Sequence, residues 1–500
     1  MKQSFLCVSV IAACAALAAC SSMNSGKGSA APTSSQDLGR QVLPANEGWA
    51  ASGAGVDGGS KAKAEHVFTV SNRAELVKAL AAGGTNPKII YVKGTINLSV
   101  DDNNKELFEK DYAAPGYNFD AYVKAYAPSV WNTKLASNKR PPKPSGPLED
   151  ARELSVKAQK ARVVIDLTSN TTLVGLGKDA KIVRGNLLIG NGTENVIIRN
   201  ITFEDSFDYF PQWDPADSFS LNKDYPGCQE TFVDAKTGPQ QCPGGRWNSE
   251  YDNISINGGK RVWVDHCTFT DGERDDKKFP SVFPFPHNQI EQKVQHHDGL
   301  IDITNGADLV TITYNHFQKH DKTSLIGGSD SATGDTGKLN VTYRANFFDN
   351  SGQRLPRVRF GKVHSYNNLF VGDAAGYDPK LGGLAAHEKA LKESGSVPIY
   401  RGAFGIGKES MIYSENNAFE IKNGGAELGA QIQSGGTKFF DTGSWVNGKP
   451  ADLVAAVNSI DPKRQVSPDV GWKPTLYGKP AMPAKDVPTY VRANAGAGKL

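Results

Sequence analysis

Net charge is scarce in this 500-residue chain: 56 Lys and Arg against 53 Asp and Glu leave a formal +3. That is nearly neutral for the length. It weakly favours a polyanionic partner over a cationic one, and with no long basic stripe it gives no sign of nucleic acid. Only six cysteines are present, with no zinc-type Cys/His spacing. The apolar run at the start, Phe5 to Ala19, is too short to span a bilayer. The 52 Gly and 27 Pro are too few for a low-complexity chain but ample for many turns. Asn-Gly pairs are few, which argues against the tight hairpins of a β-sandwich. With 39% apolar residues the chain can bury a large core, as two or three compact units or as one elongated repeat fold.

What is present is a repeat. From Val163 the segments VVIDLTSNTTLVGLG, KIVRGNLLIGNGTENVIIRNITF, DNISINGGKRVWVDHCTF, DGLIDITNGADLVTITYNHF, LNVTYRANFF and GKVHSYNNLF share one grammar. Each has short β-branched strands, a Gly/Asn turn and a strand ending in an aromatic, with no amphipathic helix of useful length between them. The closing aromatics are Phe203, Phe269, Phe317, Phe348, Phe370 and Phe419. Asn315, Asn346, Asn368 and Asn417 each stand two residues before one of them. Asparagine recurring at one phase predicts a ladder of stacked amides inside a turn. The shortest repeat, Phe348 to Phe370, is 22 residues, within the range of solenoids. The fold expected is therefore all-β, a parallel β-helix.

Ahead of the repeats, VFTV (67–70) reads as a strand. Asn72 and Glu75 then cap a short helix that Gly83 and Gly84 stop, as a cover for the open end of a solenoid. KIIYVKGTINL (88–98) reads as one further strand. Residues 102–160 look like an insertion to which no chemistry is assigned. Further loops are expected at 206–250, 273–295 and 371–400.

With the aromatic as a ruler, Asp252 lies 17 residues before Phe269, Asp302 lies 15 before Phe317 and Arg354 lies 16 before Phe370. On rungs about 4.8 Å apart these side chains would meet on one outer face. Converging carboxylates need a cation, and oxygen-only ligands favour Ca²⁺ over zinc or copper. Asp298 also lies near. It is four residues before Asp302, roughly 13 Å along a straight strand, so either the chain bends at Gly299 or Asp298 acts from the preceding turn.

The first twenty residues read as a targeting segment. Leu17-Ala18-Ala19-Cys20 resembles the bacterial lipoprotein box, which implies cleavage before Cys20 and acylation of its thiol. Ser21 after it leans towards the outer membrane. The alternative is an ordinary signal peptide cut near Ala19. Residues 1–19 are thus expected to leave, 20–43 to form a flexible tether, and 44–500 to fold as one domain. Cys228 and Cys242, a close pair outside the cytosol, are expected to form a disulfide worth roughly 3 kcal/mol. Cys267 lies in an apolar strand and is expected to be a buried small hydrophobe.

Several pieces in order resemble the polysaccharide lyase family that contains pectate lyases. They are NVIIRNITF (195–203), RVWVDHCTF (261–269), DGLIDITNGADLVTITYNHF with DKTSLIG, and RLPRVRFGKVHSYNNLF (354–370), with GWA (48–50) and IIYVKGTI towards the N-terminus. The resemblance implies a right-handed parallel β-helix and β-elimination on polygalacturonate. It implies Asp252, Asp298 and Asp302 as Ca²⁺ ligands, with Glu250 a weaker fourth candidate. It implies Arg354 as the base that removes the C5 proton, and Lys322 and Arg359 as binders of substrate carboxylate. Trp263, Asp265 and His266 match a family signature but are read as packing and a buried hydrogen-bond network. His296 and His297 are read as subsite or solvent residues. A pectin lyase acting on methyl-esterified polymer without Ca²⁺, a polygalacturonase-type hydrolase and a non-catalytic surface lipoprotein that grips acidic glycans are the competing readings. The protein is expected to be a monomer, with an acidic plant polysaccharide as partner and no nucleic acid.

Overall fold

The computed structural model describes residues 37–134, 141–217, 242–284, 292–375 and 398–500, with a few positions between these stretches. Leu38–Leu500 forms one compact unit. Among the described residues, three long sheets carry ten, eight and ten strands. Their strands pair in parallel, apart from one antiparallel pair at the C-terminal end. Each coil visits the sheets in turn. Ile254–Asn257 lies in the second sheet, Lys260–Asp265 in the first and Thr268–Thr270 in the third; the next coil follows with Ile301–Thr304, Asp308–Thr313 and His316–Gln318. This is a right-handed parallel β-helix.

The aromatic ruler corresponds to a physical stack. Phe203, Phe269, Phe317, Phe348, Phe370 and Phe419 lie ring on ring with centroids 4.6–5.2 Å apart and planes within 15°. They are paired residue to residue along the third sheet. Beside them runs the amide ladder. Oδ1 of Asn346 accepts from Asn315 N at 2.9 Å, Asn368 from Asn346 at 2.9 Å, and Asn417 from Asn368 at 2.8 Å. Cys267 takes the asparagine phase one rung earlier and ends the ladder by donating its backbone N–H to Asn315. Its thiol is fully buried, and burial pushes its pKa up to about 12.

The corner between first and third sheets is two residues long, and the first of them is in left-handed backbone: Asn200, His266, Tyr314, Ala345, Asn367 and Asn416 all have φ between 48° and 56°. The ladder compensates for that conformational cost at four of these corners, where the backbone N–H of Cys267, Asn315, Asn346 or Asn368 meets an asparagine on the next rung.

The N-terminal cover forms as expected. Helix Arg73–Gly83 starts where Asn72 accepts from Glu75 N and ends at Gly84, which has φ 53°. The expected strand 88–98 divides into Lys88–Val92 and Thr95–Asn97, turned by Gly94 at φ 66°. The insertion is helical, with Glu109–Tyr112, Phe119–Tyr126, Pro128–Trp131 and the 17-residue Pro147–Val163. Pro147 at the first turn, with Glu149 and Asp150 beside it, was the signal for the longest of them. Their aromatic faces pack Tyr122, Tyr126 and Trp131 with Trp213, Trp247 and Phe283 in a second core.

Candidate active site

The charged residues gather on the outward face of the second sheet. Ile301 and Ile303 point inward and are fully buried, so strand alternation turns Asp302 outward. Register pairs Asp302 with Ser255 rather than Asp252, because Asp252 lies in the turn before its strand. Asp298 likewise precedes the strand that opens at Ile301, and the chain bends at Leu300, beside Gly299, between Asp298 and Asp302. The carboxylates of Asp252 and Asp302 nevertheless meet. Gly299 N donates to Asp252 Oδ1 at 2.9 Å. A Cβ added to Gly299 would stand 2.6 Å from Asp252 Oδ1 and 2.7 Å from Asp302 Oδ1. Only glycine leaves room for both. Ser255 Oγ holds Asp252 Oδ2 at 2.6 Å, and Leu325 N holds Asp302 Oδ1 at 2.8 Å.

Burial, and then mutual repulsion with its acidic neighbours, raises the pKa of both Asp252 and Asp302. Asp298 differs. Burial opposes its ionisation, but Lys322 and Arg354 outweigh burial and lower its pKa. Lys322 Nζ donates to Asp298 Oδ1 at 2.7 Å. Two self-repelling carboxylates at a glycine hollow, with only oxygen donors, suit a hard divalent cation. Among the described residues no three acidic, His or Cys side chains already converge at metal-binding spacing; Asp298 is drawn to Lys322.

Arg354 precedes the strand Arg357–Val358 and has φ 57°, which lifts it from the sheet. Burial, reinforced by Arg246, lowers the guanidinium pKa, while Asp298 and Asp302 pull it back up. Arg359 is buried, with Nε on Asp330 Oδ1 at 2.5 Å and Nη1 on the Gly327 carbonyl at 3.0 Å. Glu250 is turned away, to Lys160 Nζ at 3.4 Å in an exposed pair. The structure thus brings Asp252, Asp298, Asp302, Lys322 and Arg354 together, with Arg359 further along the same face.

Asp265 is buried, accepting from Arg199 and Thr313 with His266 Nδ1 2.8 Å away, and Trp263 Nε1 donates to Thr313 Oγ1 at 2.8 Å. His297 is not a solvent residue, whereas His296 keeps part of its surface exposed. His296 stacks on Phe207 at 4.4 Å and His297 is buried against Asp205 at 3.0 Å, because the chain from 205 to 210 folds over them. Cys20 and the Cys228–Cys242 pair lie outside the described residues and side chains.

Sequence reasoning missed two groups. His320 faces Asp271 through Nδ1 at 2.8 Å and donates from Nε2 to the Asp298 carbonyl at 2.7 Å. Burial disfavours its charge, but Asp271 prevails and lifts its pKa to about 9. The imidazolium therefore pins the turn that carries Asp298. Arg357 is the other, and its signal was its place two residues before Arg359 in RLPRVR, hence on the same side of the strand.

As a class this is a parallel β-helix protein with acids and cations opposed along one outer face, an arrangement that suits an acidic polymer. A family model described as pectate lyase matches residues 34–119 and 147–500. Pectate lyase of Bacillus subtilis is 44% identical over 93% of this chain and 94% of that protein, and pectate lyase D of Dickeya chrysanthemi is 32% identical over 91% and 90%. A solved structure described as pectate lyase bound to hexasaccharide superposes with TM-score 0.78 at 43% identity, covering 93% of this chain and 100% of that one. The chain belongs to the pectate lyase family, and its activity is that of a polysaccharide lyase.

Proposed function

We propose that this chain cleaves polygalacturonate by Ca²⁺-assisted β-elimination, leaving 4,5-unsaturated oligogalacturonides. The observation that carries this reading is the pair Asp252 and Asp302, mutually repelling at the Gly299 hollow and facing Arg354. Asp252, Asp298 and Asp302 would hold the ion, which would offset the charge that builds on the substrate carboxylate as the C5 proton leaves. That proton is a poor acid, because its removal adds charge to an already anionic sugar. Lys322 and Arg359 bind substrate carboxylates and supply fixed positive charge where the carbanion-like state develops. The neutral form of Arg354, which burial favours, takes the C5 proton; the C4–O bond breaks as the C4=C5 double bond forms, the leaving oxygen takes up a proton from solvent, and no water is consumed. A pectin lyase would have no use for the acid cluster, and a non-catalytic glycan binder none for Arg354.

The chain is exported and lipid-anchored through Cys20, with residues 20–43 as tether, and it works as a monomer at the outer membrane or cell surface; mass analysis of the mature N-terminus checks the anchor. The activity test adds polygalacturonate and follows the ultraviolet absorbance of the conjugated product. Absorbance should rise with Ca²⁺ and stop with chelator. A chelator-insensitive rise would move the protein to the pectin lyase branch, and new reducing ends without absorbance would make it a hydrolase.

A further inference from the structure

The first sheet has an outward face of its own, apart from the charged face of the second. On its last coils Val363, Ile412 and Phe439 point into the core, so alternation turns Lys362, Met411, Tyr413, Lys438 and Phe440 outward. Register sets Lys362 beside Met411 and Tyr413 beside Phe440. Two segments from opposite ends of the chain each add an indole. Trp49 stands where its backbone N–H donates to Thr342 Oγ1 at 3.1 Å, and Trp472 where its Nε1 donates to the Met411 carbonyl at 3.1 Å. The result is a row of rings along the coils. Trp49 lies 5.7 Å from Trp472, Trp472 5.9 Å from Tyr413, and Tyr413 4.3 Å from Phe440, centroid to centroid.

The phenylalanine stack inside the coil is dry, whereas all four rings of this row are half-buried. A run of large rings left at the surface with a polar rim marks a binding face. Here the rim is basic. Lys362 and Lys438 make no ion pair among the described residues. The acid on the same strands, Glu415, is buried and engaged by His364 Nε2 at 2.9 Å, which leaves both lysines free to meet an anion. A pyranose has an apolar C–H face and a polar rim. An aromatic ring takes that face while the hydroxyls stay in water. Several rings in a row suit a polymer of sugars more than a single one, and unpaired lysines at the edge suit sugars that carry carboxylates.

We propose that Trp49, Trp472, Tyr413 and Phe440, edged by Lys362 and Lys438, form a non-catalytic surface that binds acidic polysaccharide on the first sheet. It would hold the protein to its polymer on a face other than the one that cuts. The proposal rests on polygalacturonate as the substrate class given above.

The test runs the full chain through native gels containing polygalacturonate, with chelator throughout so that Ca²⁺ at Asp252 and Asp302 does not contribute. Neutral galactan is the second probe. We expect polygalacturonate to retard the native chain, Trp472→Ala to weaken the apparent affinity about ten-fold, and Lys362→Ser with Lys438→Ser to weaken it about five-fold, the lysine share fading at high salt. With Ca²⁺ restored, kcat and KM on a short oligogalacturonate should stay within about two-fold in both variants, while KM on the long polymer rises. Should Trp472→Ala fail to fold by circular dichroism, the lysine pair decides alone, since it leaves every ring in place. Unchanged retardation in the folded variants, equal retention by galactan, an equal loss on short and long substrates, or a dimer that Trp472→Ala dissolves would overturn the surface. A native chain retarded through these residues that releases no ultraviolet-absorbing product would instead overturn the proposed reaction and leave the surface standing.

Discussion

The inside and the outside of this coil use one register in opposite ways. Inside, like stacks on like: asparagine on asparagine and phenylalanine on phenylalanine, each gaining from a copy of itself one rung away. Outside, like on like would be costly, since aligned carboxylates repel, and the column passes from Asp302 through Leu325 to Arg357. The interior repeat fixes where each rung lies. The exterior change of sign uses that fixed spacing for chemistry. Asp441 is an instructive exception. It follows Ser365 and Ser414 along the first sheet, with hydrogen bonds from Ser414 and Ser444 but no cation, and burial pushes its carboxyl up to about 7.

Each side can be broken separately. The largest effect should come from the outer face: Arg354→Lys should retain polymer binding and lose turnover by about 10²–10⁴-fold, as removal of a general base does. Near-normal turnover in the folded variant would remove Arg354 as the base. Next, Asp302→Asn should weaken calorimetric Ca²⁺ binding on the order of 100-fold. In chelator it should melt no lower than the native chain, because it relieves the repulsion from Asp252; a lower melting point would mean that the pair is not strained without a cation.

The interior prediction is smaller and of a different kind. Asn346→Ala removes the acceptor of Asn315 N and the donor to the Ile312 carbonyl, costing about 3 kcal/mol. The melting temperature should fall while kcat of the folded fraction holds. A variant that lost kcat without losing stability would tie the ladder to the chemistry.

The smallest effect should come from Asp441. Its folded pKa lies above the ordinary carboxylate value, so its contribution is complete below pH ~4 and is lost as pH rises through about 7. Asp441→Asn should therefore melt about 2 °C higher than the native chain at pH 8, with the difference vanishing near pH 4. A difference of equal size at both pH values would contradict this linkage.

The fold was legible because its periodic elements are one-dimensional. The spacing of Phe317, Phe348 and Phe370 is the spacing of rungs, and an asparagine two residues earlier marks the corner. The site was legible as a cluster but not in its register. Asp252, Asp298 and Arg354 all sit in turns ahead of their strands, and turn length varies from coil to coil, so counting from the aromatic misplaces them by a few residues. The Lys322–Asp298 pair and the His320–Asp271 pair join different rungs, which no local pattern reports. The helices of the insertion lay hidden because strand grammar on both sides drew attention from Pro147 and its acidic first turn.

The two-residue corner between the first and third sheets has a consequence for how such a chain can diversify. It leaves no slack at that edge, since adding a residue there would unzip the asparagines. The long connections leave instead after Thr202–Glu204, Thr268–Thr270 and Leu369–Asp373, each on the way to the second sheet and its charged face. Novelty is thus channelled to the rim of the working surface, while the spine that keeps its pitch is closed to tinkering.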